Sequence, residues 1–154
     1  MKNPLLVGAQ QARRVWWRVS RPFSLGALAL VVDGEGRVLL VELTYRRGWY
    51  LPGGGVHRKE PLEETLMREL REEVGVDPTA SPRLHGTFSN FSEGKSDYIV
   101  VFVVEQWERR PVRSFEIEDS RFFAPDELPE DASGSARRRI AEYAAGTTGV
   151  HGPW

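Results

Sequence analysis

The chain has 154 residues and a formal net charge of -1, so it fits one globular domain without a general attraction to nucleic acid or to an anionic membrane. Hydrophobic residues make up 40% of the chain and charged residues 28%, which excludes wholesale disorder. Because there is no Cys, disulfides, thiolate nucleophiles and cysteine zinc sites are excluded as well.

The N-terminal segment at 5–20 predicts an amphipathic helix that Pro22 ends. Four apolar side chains recur there at helical spacing: Ala12, Val15, Trp16 and Val19. Arginines lie on the other face of the predicted helix. We interpret this helix as packed on the edge of the domain rather than bound to a membrane surface or a partner. The sequence has neither a signal peptide nor an apolar run of membrane-spanning length, so we expect a cytoplasmic protein.

Two apolar runs follow, at 25–32 and 38–43, and Asp-Gly-Glu-Gly separates them. This arrangement predicts a β-hairpin. The sequence Pro-Gly-Gly-Gly at 52–55 then predicts an irregular loop, because proline and three glycines disfavour regular structure.

Residues 60–74 predict a helix rich in leucine and glutamate, and Gly75 is the expected end of it. Residues 98–104 are apolar on both faces, which is typical of a central, covered strand. A short strand at 121–124 and a final helix at 136–145 complete the pattern. Strands interleaved with helices predict an α/β fold in which helices cover both faces of a mixed sheet.

The helix at 60–74 carries one apolar stripe. On an ideal helix, which turns by about 100° per residue, four side chains form that stripe: Leu62, Leu66, Leu70 and Val74. Glu73 lies about 20° from Leu66, so its carboxylate points toward the interior. A solvated helix face explains Glu63 and Glu64 but not Glu73, because a buried charge requires a partner. We therefore expect a cation near Glu73.

Three carboxylates of this helix have the spacing to converge on that cation. Glu69, Glu72 and Glu73 stand at i, i+3 and i+4. Arg68 compensates only part of their charge, and hard oxygen ligands favour Mg²⁺ or Mn²⁺. The glycines just before the helix let backbone approach a metal or a phosphate. The three carboxylates and the glycines before the helix together predict the metal site of an enzyme that acts on phosphates.

These residues resemble the signature of the Nudix hydrolases at every fixed position: Gly54, Glu60, Arg68-Glu69-Leu70, Glu72-Glu73 and Gly75-Val76. The resemblance implies an α/β/α sandwich with a mixed β-sheet between helices. Residues 23–154 would form the Nudix domain, and residues 1–22 would be a helical extension of the same domain. It also implies Mg²⁺-dependent cleavage, with Mn²⁺ as an alternative ion, of a nucleoside diphosphate linked to another moiety.

The resemblance also assigns roles to individual residues. Glu69, Glu72 and Glu73 would bind the metal, and the carbonyl of Gly53 would complete its coordination. Arg68 and Glu60 would hold the carboxylates in position.

The general base varies within the family. Glu69 is one candidate, and the acids near the C-terminus, Glu116, Glu118 and Asp119, are others, although each of them is equally explained as a solvated loop charge. We favour all of these over His57, because histidine is often a plain surface residue.

Candidate substrate contacts lie just before the glycines: Arg46, Arg47, Trp49 and Tyr50. Guanidinium groups bind phosphate and aromatic rings stack on a base or sugar, although both aromatic residues equally suit a core. The expected partner is a small-molecule nucleotide, such as a nucleotide sugar, a dinucleotide or a nucleoside triphosphate, rather than nucleic acid or a membrane. The sequence leaves a homodimer open.

Two other functions compete with this interpretation. A binding module could keep the fold and sense a nucleotide without cleaving it, although the intact glutamates argue against that. The other competing function is hydrolysis at the 5′ end of RNA, in which Arg13, Arg14 and Arg18 would contact the backbone phosphates. The net charge of the chain argues against this function.

Overall fold

The computed structural model describes residues 23–92 and 95–154, so the helix predicted at 5–20 lies outside the described residues. Within these ranges the strands are β1 (Phe23–Val31), β2 (Val38–Leu43), β3 (Arg46–Tyr50), β4 (Gly53–Gly55), β5 (Val76–Pro78), β6 (Arg83–Asn90), β7 (Ser96–Val104), β8 (Trp107–Arg109), β9 (Ile117–Phe123) and β10 (Val150–Pro153). The helices are α1 (Leu62–Val74) and α2 (Gly134–Ala144).

The largest sheet has five strands in the order β10-β6-β7-β1-β4. β1 runs parallel to β7 and β10 runs parallel to β6, whereas the β6-β7 and β1-β4 pairs are antiparallel. β7 therefore lies in the interior of a mixed sheet, and both the predicted central strand and the predicted sheet type are confirmed. Strands β3, β2 and β9 form a second sheet, and β5 pairs with β8.

Each helix covers one face of the large sheet. Successive residues of β1 point to opposite faces. Ala29 is buried in a core cluster with Leu66 of α1. Leu30, the next residue, is buried in the other core cluster with Ile140 of α2. The predicted α/β/α layering is thus confirmed.

The predicted hairpin of the first two runs is wrong. β1 and β2 exist and the turn between them forms, but the two strands belong to different sheets and share only the bridge between Val32 and Val38 in the described part of the chain. β1 pairs along its whole length with β7 instead. Both runs are apolar on both faces, so their pattern fits a distant partner as well as a neighbouring one.

The predicted irregular loop at 52–55 is also wrong in part, because Gly53–Gly55 forms the short strand β4 against β1. The predicted helix at 60–74 begins two residues later, since Pro61 is extended at its start, and ends at Gly75 as predicted, with φ at 68°. The strand predicted at 121–124 begins at Ile117, and the final helix spans Gly134–Ala144.

Candidate active site

Helix α1 turns Glu73 toward the glycine strand. Its apolar stripe is buried, and Leu66, Leu70 and Val74 are each at most 1% exposed. Glu73 lies beside that stripe and is partly buried. Its Oε2 accepts a hydrogen bond of 2.8 Å from the backbone N–H of Gly53. The predicted inward direction of the Glu73 carboxylate is therefore confirmed.

The first two glycines of β4, Gly53 and Gly54, leave no room for side chains. A Cβ on Gly53 would lie 2.2 Å from the carbonyl oxygen of Ala27, and Gly53 has φ at 131°, which L side chains rarely adopt. A Cβ on Gly54 would lie 2.5 Å from the carboxylate carbon of Glu69. Glycine at these positions lets the backbone of β4 pack directly against the acidic face of α1.

Arg68 joins two glutamates of the signature. Its Nε and Nη2 donate to the two carboxylate oxygens of Glu60 at 2.7 and 3.0 Å, and its Nη1 donates to Glu69 at 2.7 Å. Glu60 also accepts from the Thr65 hydroxyl and from the His57 N–H. The Arg68 guanidinium holds the pKa of Glu60 far below its usual range. Both groups are thus charged and fixed across the physiological pH range.

Glu73 has the opposite electrostatic environment. Burial raises its pKa to about 8, against the hydrogen bond from Gly53, and the charges of Glu69, Glu116 and Glu72 add to the rise. Among the described residues, no Lys, Arg or His lies within ion-pair distance of Glu73. An inward carboxylate surrounded by three other acids is a donor set that suits a cation.

The carboxylates of α1 are not gathered at coordination distance. Within residues 23–92 and 95–154, no three Asp, Glu, His or Cys side chains form a ready metal cluster. Glu69 is held by Arg68, while the side chain of Glu72 is 62% exposed and lies 3.5 Å from the same guanidinium. A metal would therefore have to draw Glu72 toward Glu73 by rotation about its side-chain bonds.

All three glutamates border one cleft of about 890 Å³. Arg46 and Tyr50, two of the predicted substrate contacts, line it as well, and the Arg46 guanidinium lies 4.7 Å from the centroid of the Tyr50 ring. Arg47 is exposed outside the cleft. Trp49 is 8% exposed and packs edge-on against Phe123 in the core.

The candidate bases occupy different places. Glu116 lines the same cleft as Glu73. Glu118 and Asp119 line a neighbouring cavity of about 510 Å³, which Glu73 also borders. The structure thus separates acids that the sequence presents as equivalent.

Three further residues line the cleft that sequence reasoning missed: Asn90, Arg138 and Trp154. They lie at the end of β6, in α2 and just after β10, far apart in sequence. Nothing in the sequence marks these three residues, because polar, basic and aromatic residues of the same kinds occur throughout the chain.

A comparison with models of known protein families identifies the family of this chain, in which a glycine strand packs on an acidic helix. The NUDIX domain model matches residues 22–143. This chain belongs to the Nudix family. The predicted family is thereby confirmed. Nudix hydrolases use divalent metal ions and act on small nucleotide substrates.

Two curated relatives and one solved structure illustrate the similarity. The low-salt glycan biosynthesis protein Agl8 of Haloferax volcanii is 42% identical over 79 residues, which are 49% of this chain and 50% of that protein. The chain thus spans about half the length of that relative. The nucleoside triphosphatase NudI of Escherichia coli is 28% identical over 113 residues, 64% of this chain and 80% of NudI.

The solved structure is a MutT Nudix hydrolase from Burkholderia pseudomallei. It superposes with a TM-score of 0.68 at 27% identity and covers 77% of this chain and 96% of its own. In the described part of this chain, neither helix is long and apolar enough to cross a membrane.

Proposed function

We propose that this Nudix protein is a divalent-metal-dependent hydrolase that cleaves the pyrophosphate linkage of a nucleoside diphosphate joined to another moiety. One observation carries the proposal. Glu73 is an inward carboxylate without a cation partner among the described residues, and it shares a cleft with Glu69, Glu72 and Glu116. An inward carboxylate that has no basic side chain as partner among the described residues and borders a cleft of substrate size suits metal-assisted hydrolysis better than structural packing.

The metal ligands are Glu69, Glu72 and Glu73, with the carbonyl of Gly53 as a further donor. Oxygen donors of this kind favour Mg²⁺, and Mn²⁺ is the alternative ion. When bound, the metal supplies charge neutralisation to the diphosphate and lowers the pKa of a water. Arg68 and Glu60 are positioning residues, because their forked ion pair fixes the direction of the Glu69 carboxylate.

Glu116 is the residue we assign as general base. It borders the same cleft as Glu73, and its charge is one of those that raise the pKa of Glu73. Its role is to accept the proton of the water that attacks phosphorus. Glu118 is the weaker candidate because it lines the neighbouring cavity, and Glu69 is already engaged by Arg68.

The arginines of the cleft support an anionic substrate. Arg46 and Arg138 both line it, and within the described residues neither forms an ion pair with an acidic side chain. Guanidinium groups without acidic partners suit phosphate oxygens. The nucleoside triphosphatase NudI makes nucleoside triphosphates one substrate class to test, beside nucleotide sugars and dinucleotides.

A nucleotide sensor without catalysis is the second candidate, and the absence of a gathered carboxylate cluster among the described residues favours it. The intact set of glutamates weighs in the other direction. Contacts to the 5′ end of RNA remain a prediction, since Arg13, Arg14 and Arg18 lie outside the described residues.

The test is a panel of nucleoside triphosphates, nucleotide sugars and dinucleotides, incubated with the purified protein in Mg²⁺, in Mn²⁺ and in chelator. Products are identified by mass. The proposal predicts fragments cleaved between two phosphorus atoms, formed with metal and lost in chelator. Binding of a panel member, seen as thermal stabilisation without any product, would favour the sensor instead.

A further inference from the structure

Three elements outside the acidic helix contribute to one part of the cleft lining. Asn90 ends β6, Arg138 lies in α2 and Trp154 follows β10. Sheet pairing brings them together, because β10 lies parallel to β6 with Pro153 opposite Ser89. This part of the lining combines an amide, a guanidinium and an indole.

The indole of Trp154 is held firmly. Its backbone N–H donates to the carbonyl of Ser89 at 2.9 Å, and its own carbonyl accepts from Arg138 Nη2. The ring packs against Phe88 with centroids 5.8 Å apart, and the Arg139 guanidinium lies 5.7 Å from its centroid. An aromatic ring fixed in this way loses little conformational entropy when a ligand packs against it.

The two polar groups beside the ring retain unused hydrogen-bonding capacity. In the part of the chain that the structure describes, the Asn90 side chain makes no hydrogen bond, and Arg138 makes no ion pair with an acidic side chain, although its Nη2 donates to the main-chain oxygen of Trp154. An asparagine amide offers both a donor and an acceptor, as the edge of a nucleobase does. A guanidinium offers a fork to phosphate oxygens.

We propose that Trp154, Asn90 and Arg138 form the subsite for the nucleoside part of the substrate. The indole stacks on the base, the amide binds the edge of the base, and the guanidinium binds the phosphate next to the ribose. This inference rests on the proposed function, since it places the nucleoside in the same cleft as the acidic helix. Trp154 is then the residue that makes the enzyme prefer a nucleotide to a plain phosphorylated sugar.

A purely structural role for Trp154 predicts something different. If the ring only anchored β10 on Phe88, its removal would lower stability and weaken all ligands to a similar extent. A stacking platform instead contributes only to ligands that carry a base. The relevant quantity is therefore the ratio of two affinities measured on the same variant.

The experiment measures binding to the metal-free full chain by calorimetry. The probes are the 5′-monophosphates of the four common nucleosides and, as the base-free reference, ribose 5-phosphate. For the nucleotide that binds best, we expect an affinity at least about tenfold higher than for ribose 5-phosphate, as base stacking provides. Trp154→Ala removes that advantage and leaves the affinity for ribose 5-phosphate unchanged.

Matched variants separate the roles. Trp154→Phe keeps an aromatic ring and retains most of the advantage, which guards against a misfolded Trp154→Ala. Arg138→Gln weakens both ligand types, because both carry the phosphate that the guanidinium binds. Tyr98→Ala removes an aromatic side chain that packs on Phe23 outside the cleft, and it leaves the ratio unchanged.

Two results would overturn the subsite. One is a base advantage that persists in Trp154→Ala, and the other is a wild-type protein with no advantage for any nucleotide. Metal-dependent hydrolysis is assayed on the same preparations. Hydrolysis without base preference removes the subsite alone, whereas base preference without hydrolysis removes the proposed activity alone.

Discussion

The carboxylate of Glu73 accepts one hydrogen bond, from the Gly53 N–H, while burial, and after it the charges of three other glutamates, raise its pKa. In the folded protein such a group binds either a proton or a cation. Proton and metal therefore compete for the same carboxylate. This competition makes the free energy of unfolding depend on both pH and metal.

The first prediction concerns the metal-free protein. Between the unfolded pKa of 4.5 and the folded pKa of about 8, native Glu73 keeps a proton that the unfolded chain releases. The native state binds more protons, so this group's contribution to stability falls as pH rises through that window and is constant above it. From pH 5 to pH 8 we expect a loss on the order of 3 kcal/mol that Glu73→Gln lacks.

Denaturant unfolding in chelator at several pH values measures this difference, with wild type compared with Glu73→Gln at each pH. Other titrating groups cancel in the comparison. Saturating Mg²⁺ should restore the wild type at pH 8 and leave the variant unaffected. Parallel pH profiles for the two proteins would rule out a protonated Glu73.

The second prediction concerns the fork of Arg68. Arg68→Lys keeps the charge but cannot donate to both oxygens of Glu60 and to Glu69 at once. We expect kcat/KM to fall about 10- to 100-fold, because Glu69 loses its orientation. Arg71→Lys is the control, since Arg71 binds Asp77 with two donors away from the cleft. Equal effects of the two substitutions would show that the fork is merely structural.

At the scale of elements, we expect alanine substitutions at the three glycines of β4 to have different effects on stability and on activity. Gly53→Ala strains the backbone and collides with Ala27, so we expect a loss of stability of about 1–3 kcal/mol or more. For Gly54→Ala, the three atoms nearest to the added Cβ all belong to the Glu69 carboxylate, the flexible end of a side chain. It should keep its stability and lose about a hundredfold in activity, through displacement of that carboxylate.

Gly55→Ala is the reference for this series, because an added Cβ meets no atom within 4 Å. Its stability should change by less than about 0.5 kcal/mol. Thermal unfolding and initial rates of the three variants test the series. Equal activity of the Gly54→Ala and Gly55→Ala variants would contradict the packing of β4 on Glu69.

The elements differ in how well the sequence predicts them. α1 and β7 were predicted because their signals are local: an apolar stripe ended by Gly75, and a run apolar on both faces. The hairpin was wrong because β1 pairs with a strand more than 70 residues away. β6 and β10 were missed, since glycine and polar residues interrupt their patterns.

The same distinction applies to the site. The acidic half of the cleft lies within one stretch of chain, so spacing on a helix sufficed to place Glu73. Asn90, Arg138 and Trp154 meet only through the pairing of β10 with β6 and the position of α2. A single sequence does not contain that pairing in readable form.

At the scale of the whole molecule, the cleft lies between two parts of opposite chemistry. The acidic helix α1 supplies carboxylates, and Arg46 and Arg138 supply positive charge from β3 and α2. A cation would bind the carboxylates, and the diphosphate of a substrate would bind both the cation and the arginines. The account therefore depends on Glu73 acting as a metal ligand during turnover.

The most direct measurement is the metal-dependent kcat of Glu73→Gln on the best substrate of the panel, beside Glu63→Gln on the exposed face of the same helix. The account predicts a loss of at least about a hundredfold for Glu73→Gln, with native circular dichroism and an unchanged rate for Glu63→Gln. A folded Glu73→Gln protein that turns over within about tenfold of wild type would contradict it.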